Sequence, residues 1–238
     1  MDYKNKVAYI TGGTHGIGFG VAQVLLSHGM RVAISGRKLE TAQEAAKKLS
    51  SDDSKVLGIS SDVTNFEDEQ KAVEQIIEKF GQLDVVLANA GVGHFAPIYE
   101  MEVDKWKQMI ETNLTGCFHT LKASFEALKK SEGYYMTLAS LAGTNFFANG
   151  AGYNASKFGV VGFTQAAMLD LRQHNIKVST IMPGSVKSEF NNHEPSDKDA
   201  WKIQPEDIGK LVWDLLQMHP RTLPSKIEVR PTRPDLKK

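Results

Sequence analysis

The chain has 238 residues, room for one large domain, since α/β domains often run past about 200 residues. Lysine plus arginine and aspartate plus glutamate number 28 each, so the balance gives no support to nucleic-acid or anionic-membrane binding. A hydrophobic share of 41% sets it apart from disordered chains, and its single cysteine, Cys117, excludes an intrachain disulfide or a cysteine-based zinc site. No apolar run nears the roughly 18 residues of a membrane span. Residues 1–6 lead straight into the first strand without an apolar signal core, so a cytoplasmic protein with no metal is expected.

The first apolar run, Val7 to Ile10, breaks into the turn Thr11-Gly12-Gly13-Thr14-His15-Gly16-Ile17-Gly18, and a helical pattern begins at Ile17. Strand, glycine turn and helix in that order open a dinucleotide-binding unit, in which backbone N–H groups meet a pyrophosphate at a helix N-terminus. Gly12 is suited to the tight turn, Gly16 to leaving room for ligand and Gly18 to close packing of helix on strand. Strand and helix patterns then alternate, which is the signature of a parallel sheet covered on both faces.

The second strand is expected over 31–35 and an amphipathic helix over 39–49. A third strand over 55–60 precedes a helix over 66–80, and the apolar run 83–88 reads as a central strand buried on both faces. Two helices, over 103–111 and 114–130, lead to a strand over 134–139 and a long helix over 153–174. The sixth strand, 177–182, stops at Pro183-Gly184; Pro205 opens a helix to residue 218, and 227–229 form a short last strand. The expected organisation is one dinucleotide-binding catalytic domain, 1–238, with residues 1–5 and 232–238 flexible.

Several clusters fall at strand ends. Ser35-Gly36-Arg37-Lys38 lacks the acid that would bind ribose hydroxyls and repel a 2′-phosphate, and Arg37 offers a planar guanidinium for that phosphate. The simpler reading makes Arg37 and Lys38 solvated residues opening a helix. Asp62-Val63 follows the third strand, where Asp62 alone would serve as a turn or cap residue. Asn89-Ala90-Gly91 closes the fourth strand with small residues that let a ligand pass close to the backbone. Tyr153 and Lys157 lie four apart, on one helix face, so both can reach one ligand. A tyrosine acting near neutrality needs a lowered pKa, and a neighbouring ammonium favours the phenolate.

Taken in order, these segments resemble the motifs of the classical short-chain dehydrogenases/reductases. Thr11 to Gly18 resembles T-G-x-x-x-G-I-G, Ala88-Asn89-Ala90-Gly91 resembles N-N-A-G with alanine first, and Tyr153-Asn154-Ala155-Ser156-Lys157 matches Y-x-x-x-K. Ser140 stands 13 residues before the tyrosine, Asn113 matches the family's helix asparagine, and Pro183-Gly184-Ser185-Val186-Lys187-Ser188 resembles P-G-x-V-x-T with serine last. His15 departs from the arginine common in NADP-preferring relatives, and it is a weaker cation at neutral pH. The segment 189–202 is short and polar where many relatives carry a longer helical lid, and the ending 225–231 lacks their glycine-rich close; the chain resembles the branch labelled 3-oxoacyl-carrier-protein reductase-like.

The resemblance implies a doubly wound sheet of seven parallel strands ordered 3-2-1-4-5-6-7. It implies NADP(H)-dependent hydride transfer to or from a carbonyl or alcohol, a 3-oxoacyl thioester or another small ketone or aldehyde, in a homodimer or homotetramer. Ser140 would polarise the substrate oxygen, Tyr153 exchange its proton, Lys157 bind the nicotinamide ribose and Asn113 hold a water. Asp62-Val63 would hold the adenine, and Gly12, Thr14, His15, Gly16, Ile17, Gly18, Asn89, Ala90, Gly91, Pro183, Gly184, Val186 and Ser188 would line the cofactor. Two alternatives stand beside it: an isomerase or lyase that uses the nucleotide transiently, and a nucleotide sensor without turnover. Phe95, Phe146 and Phe147 are expected to line an apolar substrate pocket.

Overall fold

The structure, a computed structural model, describes residues 3–233. Seven parallel strands form one sheet in the order β3-β2-β1-β4-β5-β6-β7. They are β1 Val7–Ile10, β2 Arg31–Gly36, β3 Val56–Ser60, β4 Val85–Ala88, β5 Tyr134–Leu138, β6 Lys177–Pro183 and β7 Lys226–Val229. The helices are α1 Gly16–Ser27, α2 Leu39–Leu49, α3 Phe66–Phe80, α4 Val103–Ile110, α5 Gly116–Ser131, α6 Ala151–Leu171 and α7 Pro205–Gln217.

Successive strand residues point to opposite faces, so every core strand feeds two cores. Val7, Tyr9 and Val86 face α3, α5 and α6, where they meet Ile76, Leu128 and Val160. Ala8, Ile10 and Leu87 face α1 and α7, where they meet Val21, Leu25, Ile208 and Val212. Each fully buried side chain of this size contributes roughly 1.5–3 kcal/mol. That double burial is why the strands read as apolar runs instead of alternating.

β1 pairs with β2 on one side and β4 on the other, Ile10 lying opposite both Ile34 and Leu87. The chain leaves β1 toward one face and β4 toward the other, so a crevice opens beyond their carboxyl ends.

Three local expectations are corrected. Helices α4 and α5 are not separate: a π-helical turn, Glu111–Thr115, joins them and carries Asn113. The side-chain amide of Asn113 is drawn sideways to the backbone of Val92, and the widened turn accommodates it. Helix α6 starts at Ala151, before Tyr153, and ends at Leu171 with a tight turn Arg172–His174. Residues 3–5 are tied down: Tyr3 packs edge-on against Trp213 at 6.2 Å, and Asn5 N–H donates to the Gly29 carbonyl at 2.9 Å. The flexible ending expected from residue 232 lies largely outside the described residues.

The segment between β6 and α7 folds as two short turns, Phe190–Asn192 and Asp197–Asp199. Buried Asp199 holds it, taking the Ser196 N–H at 3.0 Å and His193 Nε2 at 2.7 Å while pairing with Lys202. A single bridge between Val186 and Ile203 ties the segment to the end of β6.

Candidate active site

One cleft of about 1530 Å³ runs along the carboxyl ends of the strands. It exceeds the usual size of a small-molecule pocket, about 300–1000 Å³, and has room for a dinucleotide and a second reactant. At one end lies the turn after β1. Gly12 and Gly16 have left-handed φ of 61° and 57°. A Cβ on Gly12 would stand 2.9 Å from the Ala90 Cα, whereas one on Gly16 would meet only Ser188 at 3.5 Å, on the open side. Gly18 brings α1 against β4, since a Cβ there would fall 2.6 Å from Asn89 Nδ2.

Helix α1 has no side-chain cap and no acid in its first turn. Its first N–H groups are left for a ligand, at the positive end of the helix dipole. Thr14, His15, Gly16 and Ile17 line the cleft there, with Arg37 and Lys38 from the end of β2 and Asp62, Val63 and Thr64 opposite. Thr14 Oγ1 is engaged with His15 Nδ1 at 3.0 Å. Asp62 Oδ1 also closes its own turn, accepting from the Thr64 amide at 3.0 Å and hydroxyl at 2.8 Å. These groups fit a dinucleotide: an uncapped helix end suits the pyrophosphate, with two cations beside it.

The two halves of the cleft are joined by a clasp. Thr11 Oγ1 accepts from the backbone N–H groups of Asn89 and Ala90 at 3.0 and 3.1 Å. Asn89 Nδ2 donates back to the carbonyls of Thr11 and Gly12 at 2.8 and 3.0 Å. Ala90 and Gly91 then run past the first turn.

At the other end, α6 lays Tyr153 and Lys157 along the cleft, with the Lys157 ammonium 5.8 Å from the Tyr153 ring centre. Lys157 Nζ donates to the Leu138 carbonyl at 2.8 Å, where β5 ends. The Ser140 hydroxyl faces the Tyr153 phenol and also caps the next turn, accepting from Ala142 N–H at 3.1 Å. Asn113 sits behind them: its Oδ1 accepts from Val92 N–H at 2.8 Å, and its Nδ2 donates to the Val92 carbonyl and Ser156 Oγ, both at 2.9 Å. The Asn113 amide is therefore committed to protein partners. Pro183, Gly184, Val186 and Ser188 line the far wall.

Burial pushes the Lys157 ammonium from 10.5 down to about 8, and pushes the Tyr153 phenol up to about 12 against a smaller lowering by Ser140. This corrects the expectation of a lowered tyrosine pKa. Desolvation dominates when both groups are shut inside the protein, and it favours the neutral form of each.

Three aromatic rings crowd the same end. Phe95 stands edge-on to Tyr153 at 5.4 Å, Phe190 lies 5.7 Å from Tyr153 and Phe147 lies 5.8 Å from Phe95. Phe146 does not join them: it is 83% exposed and stacks on Phe158 at 5.7 Å outside the cleft. Adjacent residues in an extended loop point opposite ways, so only one of the pair could face inward. Two site residues escaped the sequence reading. Phe190 comes from a polar segment without periodicity. Asn154 is buried behind the tyrosine, where its Nδ2 donates to the carbonyls of Ala142 and Asn145, both at 2.7 Å, and fixes the Ser140 loop on α6. The only signal for it was an amide next to Tyr153.

The chain matches the short chain dehydrogenase family over residues 6–199. It is 37% identical over 189 residues to trans-4-hydroxycyclohexanecarboxylate dehydrogenase of Sinomonas cyclohexanicum, covering 77% of this chain and 73% of that protein. Its fold is similar to that of an alcohol dehydrogenase from the archaeon Thermococcus sibiricus, complexed with 5-hydroxy-NADP. That structure has a TM-score of 0.89 and 28% identity, covering 97% of this chain and 99% of that one. The fold alone is shared with a 3-ketoacyl-(acyl-carrier-protein) reductase from Brucella melitensis complexed with NADH, with a TM-score of 0.87 and 24% identity over 97% of this chain and 99% of that one. With the seven-stranded order and the match over most of its length, the chain belongs to the short-chain dehydrogenase/reductase family, enzymes that act on CH–OH and C=O groups.

Proposed function

We propose that this protein interconverts a compact ketone and its secondary alcohol with NADP(H). The observation that carries the reading is the meeting of Ser140, Tyr153 and Lys157 at one end of a cleft whose other end is an uncapped helix N-terminus. NADP(H) supplies or takes up the hydride at the carbonyl carbon. The protein supplies the rest. Ser140 holds and polarises the carbonyl oxygen, and Tyr153 donates the proton that the forming alkoxide needs. Lys157 holds the nicotinamide ribose hydroxyls. Gly12, Thr14, His15, Gly16, Ile17 and Gly18 hold the pyrophosphate, Asp62 and Val63 the adenine, and Asn89, Ala90 and Gly91 the adjoining ribose. Pro183, Gly184, Val186 and Ser188 close over the nicotinamide. Asn113 braces the Val92 backbone and Ser156 through its side-chain amide, beside the water-holding role that the family resemblance implies.

A phenol at about 12 is fully protonated at neutral pH, which suits reduction. Alcohol oxidation needs the proton removed, so that direction gains with rising pH. NADP preference rests on Arg37 and Lys38, with no acid at the end of β2 to repel a 2′-phosphate. The rings of Phe95, Phe147 and Phe190 favour a compact apolar body next to the carbonyl. The ring alcohol in the name of the Sinomonas relative is a molecule of that kind. We also read the outward Phe118, 46% exposed, on α5 and the stacked Phe146 and Phe158 beside α6 as faces for self-association.

Four outcomes are expected. Tyr153→Phe keeps ring and helix but removes the proton donor, so NADPH affinity survives while single-turnover oxidation of NADPH by cyclohexanone slows about 10²–10⁴-fold. Turnover at the parental rate would remove Tyr153 as the acid. Arg37→Ala weakens NADPH by about 1.5–3 kcal/mol and leaves NADH unchanged, read by calorimetry on both.

For Lys157, the folded protein without nucleotide binds one proton fewer than the unfolded chain between about 8 and 10.5. Its stability relative to Lys157→Met therefore rises as pH climbs through that window, measured by urea denaturation. A flat difference would mean the ammonium is not desolvated. Finally, light scattering at micromolar concentration should give a dimer or tetramer, and a monomer would remove the assembly reading.

A further inference from the structure

Glu69, in the first turn of α3, is completely buried. Its Oε1 accepts from the Ser61 hydroxyl at 2.6 Å and the Tyr9 phenol at 2.9 Å, and Tyr9 also lies 3.1 Å from Ser35 Oγ. Its Oε2 is buried with no hydrogen-bond partner. The ion pairs among the described residues do not include Glu69. The titratable groups around it are Tyr9 on β1, Cys117 and His119 on α5 and Tyr135 on β5, and only His119 can become positive. On its own helix, Asp68 adds negative charge.

The cluster lies under one wall of the cleft. Ser61, Asp62, Val63 and Thr64 all line the adenosine end. Besides the Ser61 N–H bond to the Gly36 carbonyl at 3.0 Å, three supports of that wall come from α3 and α5. Ser61 rests on Glu69, the Asp62 N–H donates to Asp68 Oδ2 at 3.3 Å, and His119 Nδ1 donates to the Val63 carbonyl at 2.9 Å. Packing alone does not call for a carboxyl here, because Ala72 and Val73, three and four residues further along α3, are buried and apolar.

An ionised carboxylate with one naked oxygen in this core would be a costly arrangement. A neutral acid removes the difficulty. Its carbonyl oxygen accepts the two hydroxyls, and its own O–H can donate to Thr120. That hydroxyl faces the carboxyl and has already spent its proton on the Gly116 carbonyl at 2.9 Å. Desolvation raises the Glu69 carboxyl in the same sense.

We propose that Glu69 is a positioning residue of the nucleotide site, acting as a neutral carboxylic acid that holds Ser61, and through it the 61–64 wall against which the adenosine end rests. The inference depends on the reading that the cleft binds a dinucleotide. Glu69→Gln reproduces the neutral acid, with one acceptor and one donor in the same places. It should keep NADPH affinity within about twofold. Glu69→Leu takes the acceptor from Ser61 and should raise the NADPH dissociation constant about tenfold. With saturating NADPH its kcat should stay parental, as should turnover of reduced nicotinamide mononucleotide, which lacks the adenosine half. Ser61→Ala should weaken NADPH similarly, and the double variant should be no weaker than Glu69→Leu.

Parental NADPH affinity in Glu69→Leu would overturn the positioning role. A Gln variant as weak as the Leu variant would overturn the neutral acid. Loss of mononucleotide turnover in proportion would make the effect general damage. Should the Leu variant not fold, Ser61→Ala and Glu69→Gln decide the matter alone. A parent chain that binds NADPH while the variants behave alike refutes only this proposal, whereas a parent that binds neither NADPH nor NADH refutes the dinucleotide reading with it.

Discussion

The Thr11–Asn89 clasp is the constraint on which the site depends. Strands β1 and β4 end side by side, and their following turns must leave toward opposite faces. That geometry strands backbone N–H and carbonyl groups at a wet crevice, where the ladder no longer pairs them. Thr11 Oγ1 takes two of the N–H groups and Asn89 Nδ2 takes two of the carbonyls. The crevice is thereby held open without a side chain blocking it. Asn113 repeats the device one layer deeper, pairing both backbone groups of Val92 from a π-turn. In the clasp a hydroxyl accepts and an amide donates, whereas at Asn113 one amide offers both donor and acceptor in a fixed plane.

The electrostatic state of the cleft follows from the same closure. Lys157 and Tyr153 are each pushed toward neutrality by burial. Neither shift is caused by the other residue. The lysine instead points its ammonium at the Leu138 carbonyl, a neutral partner. Ribose hydroxyls placed against the ammonium would solvate it and relieve that desolvation. Four-residue spacing reports a shared direction for Tyr153 and Lys157 and says nothing about how much water remains, so the pull of a neighbouring ammonium on the phenol is legible in the sequence while the larger effect of burial is not.

That contrast marks what sequence can carry. Local periodicities were legible: the strands, the glycine turn and the Tyr153–Lys157 face all depend on repeat distances set by the backbone itself. The sheet order followed from alternation plus the resemblance to a family. Three things were not legible. The π-turn at Asn113 depends on a backbone segment 21 residues away. Phe190 enters the cleft from a segment held by one bridge and the Asp199 cluster. Tyr9 and Glu69 are 60 residues apart, and each taken alone reads as an ordinary strand tyrosine and an ordinary helix-start acid.

The fold therefore divides its work unequally. The end at the first turn is built largely from backbone, two left-handed glycines and an uncapped helix, beside the Thr11–Asn89 clasp. At the far end Phe190 is carried on a segment with few ties, anchored mainly by Asp199, while Phe95 and Phe147 come from the loops after β4 and β5. Backbone parts tolerate little change, because a Cβ on Gly12 or Gly18 would collide with the main structure. Phe190 and its neighbours meet no such barrier: replacing them alters ring contacts but leaves every strand pair intact. In the reading proposed above, Phe95, Phe147 and Phe190 meet the body of the carbonyl compound, so changes among these rings alter what the cleft accepts while the first turn and the clasp stay as they are.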